Sequence, residues 1–203
     1  MSELRADLAI ISEWIAPGAR VLDLGCGDGT LLKYLQDNRQ VSGYGLEIDP
    51  ANVVACIRNK VDVIQTDLDA GLSDFDPESF DYVVMTQTLQ AVLYPHKLLQ
   101  EMLRIGRQGI VTFPNFGNWR PRLHLALRGR MPISGALPHT WYETPNIHLC
   151  TLKDFEGLCR DLNINILQRH VLDHTHRRQR LSRVMPNLLG EVAMYRFEQG
   201  KRK

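Results

Sequence analysis

The stretch 21-VLDLGCGDGTLLKYL-35 decides the fold. Residues 21–24 form a short apolar run suited to a buried strand, and from Thr30 the residues suit a helix. Between them lie Gly25, Gly27 and Gly29, with Cys26 and Asp28 interleaved. A strand that runs through glycines into a helix lets a ligand approach bare backbone and turns backbone N–H groups toward it. Nucleotide-type ligands are favoured.

The spacing narrows the ligand. The dinucleotide fingerprint G-x-G-x-x-G sets its third glycine one residue later, and a phosphate-binding loop would need Gly-Lys-Ser/Thr after the turn. Here the pattern is G-x-G-x-G, preceded by an acid at Asp23. A carboxylate opposes a pyrophosphate but suits an ammonium or sulfonium, and S-adenosylmethionine carries both. Glu47, 18 residues after Gly29, falls where a carboxylate can accept ribose hydroxyls. Asp67, 20 residues further, can accept from the exocyclic amine of adenine. The plainer alternatives are an exposed strand-end carboxylate for Glu47 and a turn or cap residue for Asp67.

Outward from this stretch the pattern repeats. Leu4, Leu8, Ile11 and Ile15 predict an amphipathic helix closed by Pro17-Gly18. Residues 41–48 predict a second strand, and Asp49-Pro50 caps and opens the next helix. Residues 61–64 and 80–85 predict strands three and four, Pro95 opens a helix, and residues 109–113 predict strand five. Strands alternating with helices predict an α/β, doubly wound and mainly parallel sheet. The rhythm breaks over residues 114–149, where Trp119, Trp141 and Tyr142 lie among prolines and arginines; this reads as an inserted cap within a single domain, 1–203. Thr151 to Asp154 resembles a capping box, and residues 164–172 and 191–198 predict two last strands that pair antiparallel.

Composition excludes several classes. The 203 residues are 44% hydrophobic, enough for one sizeable core, and 24 Lys+Arg against 23 Asp+Glu build in no global attraction to nucleic acid or membrane. No apolar run reaches the roughly 20 residues that span a bilayer. Four cysteines without a C-x-x-C pair, and no secretory leader, predict a reduced, cytoplasmic protein. His170, His174 and His176 lack companions at ligand spacing beyond Asp173, so no metal is expected. Arg177, Arg178, Arg180 and Arg183 lack aromatics for base stacking, so no nucleic-acid partner is expected.

With these residues in place, the chain resembles the class I S-adenosylmethionine-dependent methyltransferases, through residues 21–29, Gly45-Leu46-Glu47-Ile48-Asp49, Thr66-Asp67-Leu68 and residues 79–84. That resemblance implies a Rossmann-like, seven-stranded sheet with the last strand antiparallel. It assigns S-adenosylmethionine, or S-adenosylhomocysteine, to Asp23, Gly25, Cys26, Gly27 and Gly29 for the methionine part. Glu47 would face the ribose, Asp67 and Leu68 the adenine, with Ile48 and Gln87, at the ends of strands two and four, completing the cofactor set. More narrowly, "TQTLQAV", "IVTFPNFGNWRPRL" and "WYETPNIHLCTLKDFE" are similar to the MetW family of methionine biosynthesis. This implies a partner, the MetX-type homoserine O-acyltransferase, and an accessory role, the alternative being methyl transfer to a small acceptor.

Methyl transfer needs alignment more than acid-base chemistry, so motifs underdetermine it. The Asn/Asp-Pro-Pro-aromatic run expected for nucleobase amines is replaced by Met85-Thr86-Gln87-Thr88. Substrate or partner candidates are Gln87, Asn115, Trp119, Trp141, Tyr142 and His148, with Gln87 and His148 as the catalytic ones; a local core, a turn former and a satisfied polar group are the competing readings. No G-x-S-x-G elbow is present, so any part in acylation is as a partner. The insertion's tryptophans beside Arg120, Arg122, Arg128 and Arg130 have the composition of an interface.

Overall fold

The computed structural model describes residues 4–135, 137–172 and 185–200. The basic run from His174 to Arg183 lies outside these residues. Seven strands form one sheet: β1 (Arg20–Leu24), β2 (Ser42–Glu47), β3 (Val63–Gln65), β4 (Phe80–Thr86), β5 (Gly106–Pro114), β6 (Ile164–Leu172) and β7 (Val192–Gln199). Their order is β3-β2-β1-β4-β5-β7-β6, with β1 to β5 parallel and β7 antiparallel to both β5 and β6. Helices α1 (Ala6–Trp14), α2 (Thr30–Arg39), α3 (Pro50–Arg58), α4 (Pro95–Ile105), α5 (Trp119–Arg128) and α6 (Leu152–Asp161) connect or flank them.

Because helices cover both faces, the central strands are apolar on both sides. In β1, Val21 joins the cluster that contains Ile11, Leu32 and Leu35 of α1 and α2, while Leu22 and Leu24 join the cluster containing Leu99 of α4. The same alternation sends Val84 one way and Val83 and Met85 the other. At the far end Phe113, Phe155 and Tyr195 pack as a ring cluster, with Phe113 and Tyr195 stacked at 6.0 Å. The fully buried Tyr195 donates its hydroxyl to Glu156 at 2.9 Å, and Arg169 binds the same carboxylate oxygen at 2.8 Å. Burial thus leaves no polar atom of that tyrosine unpaired.

The predicted strands are found, with shifted bounds. Strand three starts at Val63, two residues late, because the N–H of Val61 still donates to Cys56 O in the turn closing α3. Strand five starts at Gly106, three residues early and directly out of α4, where it already pairs with Phe80 of β4; a Cβ there would stand 2.5 Å from Val83. The capping box at Thr151 and Asp154 forms as predicted. Asn118 caps α5, and Gly129, at φ +59°, ends it. Among the described residues of 129–150, one isolated bridge, Ser134 to Leu137, is the regular pairing.

The strand order reverses between β1 and β4: β2 follows β1 on one side, and β5 follows β4 on the other. A crevice opens outside the carboxyl ends of strands at such a switch point. The glycine turn after β1 and the turn at Gln87 after β4 meet there.

Candidate functional site

Gly25, Gly27 and Gly29 all have left-handed backbone, at φ +70°, +57° and +77°. A Cβ on Gly25 would stand 2.6 Å from Thr88 Oγ1, so that glycine is required by space as well as by φ. At Gly27 nothing lies within 4 Å of the equivalent position, and the backbone faces open space. The loop is fixed from behind. Gly25 and Cys26 donate N–H bonds to Leu46 O at 2.8 and 3.1 Å, and Gly27 donates to Glu47 Oε2 at 2.8 Å. Ile48 and Asp49 donate to the other oxygen, Oε1, at 2.9 and 3.0 Å. Glu47, buried, therefore ties the β1 loop to the β2 turn. With two lone pairs on each oxygen, one site on Oε2 is left for a ligand hydroxyl.

Asp23 is the most deeply buried acid of the site. It is 1% exposed, and its Oδ1 has no hydrogen-bond partner among the described residues. Burial pushes its carboxyl up to about 7; the charge of Glu47 adds to this and that of Arg5 opposes it. A buried carboxylate oxygen without a partner needs an explanation, and a cationic ligand group supplies one. Asp23 lines a cavity of about 180 Å³ together with Arg5, Leu8, Gly25, Gly27 and Gln87. An orphaned acid, a glycine face open to the cavity and a residual acceptor on Glu47 fit an amino-acid nucleoside such as S-adenosylmethionine.

The other predicted cofactor residues fall into place unevenly. Cys26 borders the cavity, but its thiol packs behind the loop, 3.7 Å from Cys56 Sγ, where a Cβ on Gly45 would collide with it. Burial pushes that thiol well above the ordinary range, so it is no nucleophile at neutral pH. Ile48 is 59% exposed just beyond β2. Asp67 is exposed and accepts from Asp69 N at 2.9 Å, capping the single turn Leu68–Ala70; Leu68 packs half-buried on the core. Neither lines the cavity of Asp23.

Gln87 sits at the junction. Its backbone is left-handed at φ +55°, held by two bonds from its N–H to Thr112 O and Oγ1, both at 3.0 Å. It lines the Asp23 cavity and a larger neighbour of about 480 Å³, and Arg5 lines both too. The larger cavity runs under the insertion, between Asn115, Asn118, Arg120, Pro138 and Glu191. Asn115 borders it, yet its amide is spent on backbone: Nδ2 donates to Asn187 O and Gly190 O, and Oδ1 accepts from Gly117 N. Trp119, Trp141, Tyr142 and His148 are exposed and line neither cavity. Trp141 and Tyr142 pack edge to face at 5.5 Å, and His148 Nε2 lies 3.3 Å from Leu93 O.

Sequence reasoning missed Arg5 and Asp7. Arg5 Nε and Nη2 donate to the two oxygens of buried Asp7 at 2.7 and 2.9 Å; the pair lines the larger cavity, and Arg5 lines the smaller as well. No motif marks them, because the chain brings α1 across the crevice only on folding. Among the described residues no group of His, Cys, Asp or Glu could hold a metal ion, and no helix is long and apolar enough to cross a membrane.

A family model for the methionine biosynthesis protein MetW matches residues 5–197. The bifunctional methionine biosynthesis protein MetXA/MetW of Rhodopirellula baltica is 36% identical over 209 residues, covering 98% of this chain and 33% of that relative. The chain thus spans about a third of that relative's length. An S-adenosylmethionine-dependent methyltransferase from Mesorhizobium loti superposes with a TM-score of 0.69 at 14% identity, covering 96% of this chain and 98% of the other. The [4+2]-cyclase SpnF superposes with a TM-score of 0.68 at 16% identity, covering 96% and 81%. At these identities the likeness shows a Rossmann-like class I methyltransferase fold, shared by a methyltransferase and a cyclase.

Proposed function

We propose, from the premise that this chain belongs to the MetW family of methionine biosynthesis proteins, that it binds S-adenosylmethionine and acts as an accessory partner of homoserine O-acyltransferase. The observation that carries the ligand is the buried carboxylate of Asp23, without a partner, at the open face of the glycine loop. Asp23 would hold the ammonium, Glu47 a ribose hydroxyl through its remaining lone pair, and Ile48 the apolar face of adenine. Asp67 stands at the rim, with one oxygen in its cap and the other available to an amine. The cofactor, when bound, supplies a methyl group on a positively charged sulfur. The partner reading is supported by the name of the Rhodopirellula relative, two-thirds of which lies outside the match.

The test mixes purified chain and acyltransferase, with and without S-adenosylmethionine. The expected result is that the acyltransferase depends on the chain, and that the ligand shifts that activity or the affinity between the two proteins. Coupling is reciprocal, so ligand affinity measured by calorimetry must change by the same factor when the partner is present. No effect of the chain on the acyltransferase removes the accessory role, and no heat with S-adenosylhomocysteine removes the ligand.

A second reading, methyl transfer to a small metabolite, is favoured by one observation: the 480 Å³ cavity shares Arg5 and Gln87 with the cavity of Asp23. Cavities of this size hold small ligands. There residues 114–149 would act as a cap that excludes water while Gln87 and Arg5 align the acceptor. Label from the methyl group appearing in a small metabolite would establish it; label retained on the cofactor in cell extract, with the acyltransferase present, would dismiss it.

A further inference from the structure

Helix α5 is oddly placed for a helix of a folded domain. Of its ten residues only Pro121 is buried, while Trp119, Leu123 and Leu127 are 43%, 46% and 76% exposed. Those three stand four residues apart, so they line one stripe of the helix. Apolar stripes on helices are normally turned to a core. The guanidinium of Arg120 covers one ring of the stripe, 5.6 Å from the Trp119 centroid. Trp141 and Tyr142 add two more exposed aromatics on the same inserted segment.

The charge along the chain segment that carries the stripe has one sign. Between Glu101 and Glu143 the sequence carries no Asp or Glu, while Arg120, Arg122, Arg128 and Arg130 lie on or beside α5. Arg120 reaches Glu191 at 3.2 Å; the other three pair with no described carboxylate. A nearly neutral chain thus concentrates positive charge where it also exposes apolar surface. Such a surface complements an apolar groove with an acidic rim.

We infer that α5 is a docking helix, and that its occupant is the homoserine O-acyltransferase, which receives the Trp119, Leu123 and Leu127 stripe in an apolar groove rimmed by carboxylates. The inference rests on the partner reading above and adds the face and its chemistry. The Rhodopirellula relative bears on it independently of composition. In one chain it joins a region like this one to a segment about twice as long, which keeps the two parts at high effective concentration and favours a contact between them.

The test measures binding of the full chain to immobilised acyltransferase. Leu123→Asp combined with Leu127→Asp is expected to weaken binding by roughly 30-fold or more, as loss of a hot-spot cluster does. Arg122→Glu with Arg128→Glu is expected to slow association by about tenfold at low salt, an effect that fades at high salt. Melting temperature and affinity for S-adenosylhomocysteine should stay at wild-type values in both variants, separating docking from folding and from the cofactor cradle. If wild type binds and both variants bind within about twofold of it, α5 is not the face, while the partner reading stands. If wild type does not bind, the partner reading and the docking helix fall together. If wild type self-associates by light scattering and Leu123→Asp with Leu127→Asp makes it monomeric, the stripe belongs to a second copy and the inference is overturned.

Discussion

The cradle at the ends of β1 and β2 and the inserted segment that carries α5 are built in opposite ways. In the cradle, backbone N–H groups of Gly25, Cys26, Gly27, Ile48 and Asp49 are all bound, two to Leu46 O and three to one carboxylate. In the insertion, a ten-residue helix buries one proline and shows solvent its tryptophan and three leucines. The cradle leaves a buried acceptor, Asp23 Oδ1, without a partner among the described residues, and the insertion exposes an apolar face. The first offers a point contact, the second a surface.

Removing the carboxylate that closes the cradle should have the largest effect. Glu47→Ala leaves three N–H groups unpaired and removes the acceptor for a ligand hydroxyl, so affinity for S-adenosylhomocysteine should fall by about 100-fold or more in calorimetry, with stability lower by about 3 kcal/mol. Docking through α5 should survive it. Loss of acyltransferase binding in this variant, at a temperature where it is folded, would show that the two regions are not separate.

The glycines come next and divide by what surrounds them. Gly25→Ala must hold a left-handed backbone and push Thr88 aside, which should cost about 2–4 kcal/mol in denaturant melts. Gly27→Ala meets no atom, so about 1 kcal/mol is expected, with a disproportionate loss of ligand affinity because the methyl occupies the open face. Equal costs at the two positions would mean that φ alone, not the cavity, fixes the pattern.

This division explains what was legible in the sequence. The glycine turn, Asp23 and Glu47 obey local rules, since positive φ and strand-end acids leave a signature at fixed spacing. The doubly wound, mainly parallel sheet followed from alternation, but its strand order did not, and bounds slipped, as at Gly106, whose missing side chain fits against Val83. Asp67, read as a ligand acceptor, commits one oxygen to a cap, as its residue type always allows, and the cap leaves its other oxygen uncommitted. Arg5 and Asp7 were illegible because only the tertiary path of α1 brings them to the crevice. In the insertion composition marked the aromatic residues as interface-like, but it could not place them outward, nor show that Asn115 is spent on backbone carbonyls.

Asp23→Asn should give a smaller effect of unusual sign. The folded protein holds this carboxyl at about 7, raised from 3.8, so it contributes most to stability below pH 4 and loses that contribution as pH rises through about 7. The asparagine variant escapes the loss. Without ligand it should melt above wild type at pH 8, by at least about 2–4 °C, with the gap shrinking steadily toward pH 4. Wild-type affinity for S-adenosylmethionine should fall below pH 7, up to about tenfold per unit, and the variant should be weak throughout. A variant that melts lower than wild type at pH 8 would mean that Asp23 already has a partner within the fold.

The smallest effect probes the other region. Leu127, 76% exposed, loses little contact when replaced by serine, so Leu127→Ser should leave stability within about 0.5 kcal/mol of wild type. A leucine of the ring cluster's neighbourhood, such as Leu152 at 1% exposure, should instead cost about 2–5 kcal/mol as alanine. If Leu127→Ser proves as costly as Leu152→Ala, α5 folds down in solution and its stripe is part of the core, which would return the insertion to the role of a cap. If stability is unchanged while acyltransferase binding weakens, the apolar stripe is kept for a partner, because an exposed leucine that does nothing for the fold gains its free energy only when another surface covers it.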